Sequence, residues 1–303
     1  MSELLKLSMD AALRAGDAIL QIYARDFEVE LKADESPLTE ADKAAHCIIC
    51  DALEETGLPI LSEESKAVAY EQRKGWERYW LVDPLDGTKE FIKKNGEFTV
   101  NIALVENGRP VMGVVYAPVL QTVYYGIAHG AGSGEPGAWK AADCPGQTVD
   151  EILSSSSPCS MRHAPGAAPL RVVASRSHCN DETKKFIEDL EAVYGAAERV
   201  SSGSSLKLCM VADGAADIYP RIAPTMEWDT AAAHAVVEAS GGRVVEYDAA
   251  VPAASYLQSA EGRAQNEKDS PCSMPHAPCP ATLHALCYNK ENLLNPHFVV
   301  VCR

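Results

Sequence analysis

Asp83 and Asp86 stand three residues apart, where the apolar run Trp80-Leu81-Val82 meets Pro84 and then Gly87-Thr88. A turn of that composition can aim two carboxylates and a freed backbone carbonyl into one space, and the N–H groups of Gly87 and Thr88 then suit a phosphate oxygen. Hard oxygen donors in such a cluster match a divalent cation that keeps waters beside a phosphate. An Asx-type turn that caps a helix has the same composition, so for these two aspartates alone both readings stand.

Other acids are ordinary one at a time. Glu63 lies in Leu61-Ser62-Glu63-Glu64-Ser65, and adjacent acids are usually solvated. Asp42 follows Thr39 by three residues, which is a complete capping arrangement for a helix start. Asp229, in Glu227-Trp228-Asp229-Thr230, reads as the N-cap of a following helix. Trp228 is expected to pack that helix start. Cys47 and Cys50 form a CxxC on a helix face read as apolar, which favours small core residues over a redox pair. His46, His129 and His234 have no partner in the sequence pattern, whereas His178 reads either as a nucleotide contact or as the end of the Ser175–Ser177 strand.

Periodicity shows which elements must position these groups. Leu4, Leu7, Ala11, Ala15, Ala18, Ile19 and Ile22 recur at helical spacing, and a second helix is predicted from Thr39 through Ala52. Trp80 to Val82 reads as a buried strand that ends at Asp83-Pro84. Phe98, Val100, Ile102 and Leu104 alternate, and Asn107-Gly108 then predicts a hairpin into Val111–Tyr116. Residues 144 to 169 are rich in Ser, Pro, Gly and Ala and read as a boundary or a surface insertion. Beyond them strands and helices alternate, which favours an α/β layer. The segment Ser157-Pro158-Cys159-Ser160-Met161 nearly repeats as Ser270-Pro271-Cys272-Ser273-Met274; both copies read as surface loops, because their spacing matches no structural zinc pattern. Residues 1–155 are therefore expected to form an α+β portion with most of the acids, and residues 156–303 an α/β portion with Asp229.

Composition narrows the class. The chain has 303 residues, 47% of them hydrophobic and 23% charged, which excludes whole-chain disorder, a collagen repeat and a coiled-coil rod. No apolar run reaches the roughly 20 residues of a membrane span, and the start of the sequence lacks a basic segment leading into an apolar stretch, so a cytoplasmic protein with reduced thiols is expected. A net charge of −16 disfavours nucleic-acid polymers and anionic membranes as partners.

Taken together, the ordered elements resemble the magnesium-dependent phosphatase superfamily that includes inositol monophosphatase, and the resemblance covers nearly the whole chain. Lys89-Glu90-Phe91, where inositol monophosphatases typically carry Thr-Asn-Phe, is similar to the 3′(2′),5′-bisphosphate nucleotidase branch. So are Ser175-Arg176-Ser177-His178, Gly203-Ser204-Ser205-Leu206-Lys207 and Tyr288-Asn289-Lys290-Glu291-Asn292-Leu293-Leu294-Asn295-Pro296.

The resemblance implies a layered αβαβα sandwich. It gives Glu63, Asp83 and the Leu85 carbonyl to one magnesium ion, Asp83, Asp86 and Asp229 to a second, and leans a weaker third on Glu63. It makes Thr88 a relay to Asp42, which orients and deprotonates the attacking water. Gly87, Thr88, Arg176, Ser177, His178, Gly203, Ser204, Lys207 and Arg221 are the implied contacts to a small nucleotide. Lys207 is preferred among the cations because it follows a Gly-Ser-Ser turn at a predicted helix start. The implied reaction releases the 3′-phosphate of adenosine 3′,5′-bisphosphate, or of the related sulfate-carrying nucleotide, with inhibition by lithium. An inositol phosphatase, or a non-catalytic nucleotide or metal sensor on the same fold, are the alternatives.

Overall fold

The computed structural model describes residues 3–31, 37–128, 136–160, 169–174, 180–261 and 283–302. Helix α1 (Glu3–Tyr23) buries Leu5, Met9, Ala11, Ala12, Ala15, Ile19 and Ile22; of the stripe read from its periodicity, Ala11, Ala15, Ile19 and Ile22 are buried, whereas Leu4, Leu7 and Ala18 are half-buried. A short hairpin of β1 (Val29–Leu31) and β2 (Pro37–Thr39) leads into α2 (Glu40–Glu54). Next come β3 (Ile60–Ser62), α3 (Tyr70–Arg73), β4 (Arg78–Asp86) and α4 (Thr88–Ile92). An antiparallel run follows: β5 (Thr99–Glu106), β6 (Arg109–Ala117), β7 (Thr122–Ile127) and β8 (Gly137–Ala141). Helix α5 (Val149–Ser155) and β9 (Ser157–Pro158) close this portion.

The rest alternates as the sequence texture predicts. It comprises β10 (Arg171–Val173), α6 (Asp181–Tyr194), β11 (Glu198–Val200), α7 (Leu206–Ala212), β12 (Ile218–Arg221) and α8 (Ala231–Ala239). Strand β13 (Arg243–Glu246), helix α9 (Ala253–Glu261) and strand β14 (Phe298–Val301) complete it. A seven-stranded sheet runs in simple order from β3 to β9, and a five-stranded sheet has the order β11-β10-β12-β14-β13.

Side-chain alternation sorts the core into layers. Trp80, Val82, Ile102, Leu104, Val114 and Tyr116 face α1 and α2. Their neighbours Tyr79, Leu81, Ala103, Val105, Val115 and Ala117 face α7 and α8. On the second sheet Phe298 and Val300 join that same middle layer, while Val299 and Val301 turn to α6 and α9. Helix pair, sheet, helix pair, sheet and helix pair therefore make the αβαβα sandwich, each buried Val, Leu or Phe contributing roughly 1.5–3 kcal/mol. Middle helix α8 sits unusually close to the first sheet: a Cβ on Gly113 would meet the Ala232 carbonyl oxygen at 2.1 Å. Only glycine lets helix and strand approach that closely, and the approach fixes the helix that follows Asp229.

Several expectations need correcting. Strand β4 does not end at Asp83: pairing with β5 resumes at Asp86↔Thr99 after Asp83↔Asn101, so Pro84 and Leu85 form an irregularity inside the strand. Strand β5 is buried on both faces, because α8 covers the side that strict alternation would leave to solvent. The presumed loop at 144–169 contains α5, opened by a capping box in which the Thr148 amide donates to Glu151 at 2.7 Å. Cys47 is exposed and Cys50 half-buried, since Ala41, Ala45 and Ile49 form the buried stripe of α2. Residues 161–168 and 270–278, with most of the repeated Ser-Pro-Cys segments, and His129 lie outside the described residues. Among the described residues no helix is long and apolar enough to cross a membrane.

Candidate active site

The irregularity in β4 builds the acidic centre. Asp83, 1% exposed, accepts the Leu85 amide on Oδ1 at 3.0 Å. Gly87, at φ +94°, turns the chain out of the strand and opens α4 at Thr88, a backbone conformation that L side chains resist. Glu63 follows β3, its amide bonded to the Val82 carbonyl at 3.1 Å, so it stands beside the end of β4. Asp86 reaches across to the second sheet's layer: its Oδ2 accepts the Ser205 amide at 2.5 Å and the Asn101 side-chain amide at 3.4 Å. Asp229 is not a helix N-cap. Thr230 holds that place, and Asp229 Oδ2 accepts the Met226 amide behind it at 2.9 Å.

The electrostatics show that these acids share one space. Burial first, and then the charges of Glu63, Asp86 and Asp229, push the Asp83 carboxyl well above its ordinary range. Burial and then Asp86 raise Asp229, against the Met226 amide. Asp86 is pushed up to about 6 by burial, with the Lys207 ammonium and the Ser205 amide pulling the other way.

Among the described residues no three acids, thiols or imidazoles close into a ready-made ion cage. Asp83, Asp86 and Asp229 instead each accept a backbone amide, those of Leu85, Ser205 and Met226 in turn. A set of oxygen donors with excess negative charge, Asp83 buried and Glu63, Asp86 and Asp229 half-buried, fits a hard divalent cation, which would relieve the repulsion.

Asp42 divides its two oxygens between two tasks. Oδ2 closes the capping box of α2, accepting the Thr39 amide at 2.8 Å and the Thr39 hydroxyl at 2.6 Å. Oδ1 faces the Thr88 hydroxyl at 3.4 Å, and that hydroxyl also lies 3.4 Å from the Leu85 carbonyl. These are loose contacts of the kind that tighten when a reactant is bound. Burial pushes the Asp42 carboxyl up to about 6 despite the Thr39 bonds, so it is an anion at neutral pH yet basic enough to take a proton.

A cavity of about 300 Å³ opens beside the acids, lined by Asp86, Gly87, Lys207, Tyr219, Arg221, Thr225 and Asp229 among others. Lys207 is buried, with its ammonium held by the Ser204 carbonyl at 2.6 Å. Burial lowers it to about 8, opposed by Asp86. Three polar atoms of the lining are buried without a partner: Ser204 Oγ, Arg221 Nε and Thr225 Oγ1. Such atoms carry the full cost of desolvation unless a ligand meets them. Gly203 lines the same cavity against the Glu97 carbonyl.

The structure thus gathers Asp42, Glu63, Asp83, Leu85, Asp86, Gly87, Thr88, Gly203, Ser204, Lys207, Arg221 and Asp229 around one centre; Arg176, Ser177 and His178 lie outside the described residues. Sequence reasoning missed Thr225, Tyr219, Asn101 and Ser205. The signal for Asn101 and Thr99 is their polarity in a strand whose other positions are almost all apolar. Thr225 carries no local signal. Trp228 packs against the middle layer, as expected. His234 pairs with the Tyr288 hydroxyl at 2.8 Å, and His46 with the Ser62 hydroxyl at 2.9 Å, so both have partners that the sequence pattern hid.

A five-layer αβαβα fold with clustered carboxylates beside a cation-lined cavity defines the class, and the sequence profile of the Inositol monophosphatase family matches residues 1–275. The chain belongs to that family. Within it, the 3′(2′),5′-bisphosphate nucleotidase CysQ of Salmonella typhimurium is 48% identical over 240 residues, 78% of this chain and 87% of the relative. CysQ of Escherichia coli K12 is 46% identical over the same shares. The crystal structure of CysQ from Bacteroides thetaiotaomicron, a bacterial member of the inositol monophosphatase family, superposes with a TM-score of 0.73 at 44% identity, covering 98% of this chain and 96% of its own. The suhB protein of Bartonella henselae shares the fold at 23% identity and a TM-score of 0.64, covering 81% and 88%.

Proposed function

We propose that this chain is a magnesium-dependent phosphatase that hydrolyses the 3′-phosphate of adenosine 3′,5′-bisphosphate to a nucleoside 5′-phosphate and inorganic phosphate, or that of its sulfate-carrying relative to the 5′-phosphosulfate and inorganic phosphate. The observation that carries the reading is the convergence of half-buried Glu63, Asp86 and Asp229 on buried Asp83, beside a cavity that holds Lys207. Likeness to the bisphosphate nucleotidases named above supports the substrate class.

Magnesium held by Glu63, Asp83, the Leu85 carbonyl, Asp86 and Asp229, two ions with a weaker third, would neutralise the scissile phosphate and lower the pKa of water in the site. The chain's own groups do the rest. Asp42 takes the proton of the attacking water through the Thr88 hydroxyl, whose two acceptors, Asp42 Oδ1 and Leu85 O, limit where it can point. Gly87 and Thr88 present amides to the phosphate being transferred. Lys207 and Arg221, with the hydroxyls of Ser204 and Thr225, hold the remaining phosphate and ribose, which a protein of net charge −16 must do with local cations. Arg176, Ser177 and His178 complete the nucleotide contacts in this reading.

A substrate panel on purified protein tests the proposal. Phosphate release from adenosine 3′,5′-bisphosphate should require magnesium and exceed that from inositol 1-phosphate and inositol 1,4-bisphosphate. A preference for either inositol substrate would overturn the nucleotide assignment.

A further inference from the structure

The turn that carries Asp229, Thr225 to Thr230, belongs to no strand and precedes helix α8. What holds it is the segment 288–295, far along the chain. The Glu227 amide donates to the Leu293 carbonyl at 2.9 Å, and the Asn295 amide to the Thr225 carbonyl at 2.8 Å. The Asn295 side chain, 3% exposed, donates to the Met226 carbonyl at 3.0 Å and the Thr230 hydroxyl at 2.9 Å. Glu227 is wholly buried, and its carboxylate accepts the Asn289 amide at 2.7 Å, the Lys290 amide at 3.1 Å and the Lys290 ammonium at 2.7 Å.

The same segment is also gripped by Arg73. Arg73, 2% exposed, donates to Asn289 Oδ1 at 2.8 Å, to the Lys290 carbonyl at 2.7 Å and to the Glu291 carbonyl at 3.0 Å. Asn289 answers through its side-chain amide on the Arg73 carbonyl at 2.7 Å. Arg73 ends α3, within the β3–β4 connection whose first residue is Glu63. One strut therefore joins the two elements that carry Glu63 and Asp229. Its partners are mostly backbone groups, which fix register as well as proximity; apolar packing of the same volume would fix only proximity.

We propose that Arg73, Glu227 and Asn295 are positioning residues which, through the 288–295 segment, hold the Asp229 turn against the Glu63 connection and so set the affinity of the site for its divalent cation. This rests on the reading above that Glu63 and Asp229 serve one cation site.

The test is calorimetric titration of the full-length, metal-stripped protein with magnesium, alongside thermal unfolding in chelator. Asn295→Ala and Arg73→Lys should each weaken magnesium binding about tenfold, the usual effect of losing a group that orients a ligand from behind. The KM for nucleotide at saturating magnesium should stay within about twofold. Glu227→Gln keeps the shape and should fall in the same class. If it does not fold, Asn295→Ala and Arg73→Lys carry the test. A lowered melting temperature with magnesium affinity within about twofold of the parent would overturn the proposal, because a purely structural strut moves only the former. Asp229→Ala is the control: unchanged magnesium binding in that variant would refute the cation-site reading, and its loss beside unchanged Asn295→Ala and Arg73→Lys binding would refute only the strut.

Discussion

Asp83 and Asp86 hang from a strand paired on both sides within the seven-stranded sheet, whereas Lys207 and Arg221 sit on a seven-residue helix and at the end of a four-residue strand. The first region is a continuous ladder from β3 to β9, buried on both faces at its centre. The second is assembled from short pieces, in which β10 meets β12 through a single residue pair, Val172↔Ile218. That difference fits the tasks. Acids that must keep their mutual spacing while repelling one another belong on the stiffer frame, and cations that receive a variable organic group tolerate a looser one. Asp229 is the exception: it shares a space with the acids but belongs by chain position to the second region, and its turn is the one that the 288–295 segment braces.

If the regions divide labour in this way, variants of the first should lower kcat and variants of the second should raise KM. The largest effect is expected for Asp83→Asn, which keeps shape and removes the charge shared with Glu63, Asp86 and Asp229. Loss of roughly 10³-fold in kcat is expected in a steady-state phosphate assay, and near-parental activity would break the comparison outright. Thr88→Ala and Asp42→Asn should each lower kcat about 10²-fold, with the double variant little worse than either, because the two groups act as one relay. A product of the single effects would show independent roles.

Lys207→Met should raise KM about 10- to 100-fold, the worth of a charge-assisted hydrogen bond, with a much smaller change in kcat. The parent enzyme should show the same trend as pH climbs through about 8, where burial lets the Lys207 ammonium lose its proton.

Stability should depend on pH in a direction that identifies the acidic region. Asp42 and Asp86 are raised to about 6 from the ordinary 3.8, so the folded protein binds their protons more tightly than the unfolded chain. Stability in chelator is then greatest at or below about pH 4 as far as these groups are concerned, and falls as pH rises from 3.8 through 6. Magnesium should flatten that fall; melting curves with and without it between pH 4 and 7 check the sign. The smallest effect is expected for Thr225→Val, which removes a hydroxyl that lacks a partner within the protein: KM should rise about fivefold with melting temperature unchanged or slightly higher.

Much of this was legible locally. The Asn107-Gly108 hairpin and the Thr39–Asp42 capping box follow from residue types at short range, and the structure contains both; the helix of α1 was equally legible, but its buried face takes in Leu5, Met9 and Ala12 and leaves Leu4, Leu7 and Ala18 half-buried. Strand β14 went unread because Phe298-Val299-Val300-Val301 is a short apolar run with no alternation, and its central place comes from pairing with β12 and β13, whose residues lie more than fifty positions away. The exposure of Cys47 was misjudged because a helix with scattered small residues leaves its buried stripe ambiguous until a partner helix is known.

The residues themselves offered hard oxygen donors at Asp83 and Asp86 beside the amides of Gly87 and Thr88; the family resemblance added Glu63 and Asp229 to them, with a relay at Thr88, a base at Asp42 and an ammonium at Lys207. Periodicity added the helices and strands, and the family resemblance the layer order. Only the tertiary structure decided that Asp42 gives one oxygen to its helix cap and the other to Thr88, that Asp86 bridges to Ser205, and that the far 288–295 segment carries the Asp229 turn. The reason is range. Capping and alternation are settled within a few residues, whereas the convergence of charges and the filling of a cavity depend on which surfaces the burial of apolar area brings face to face.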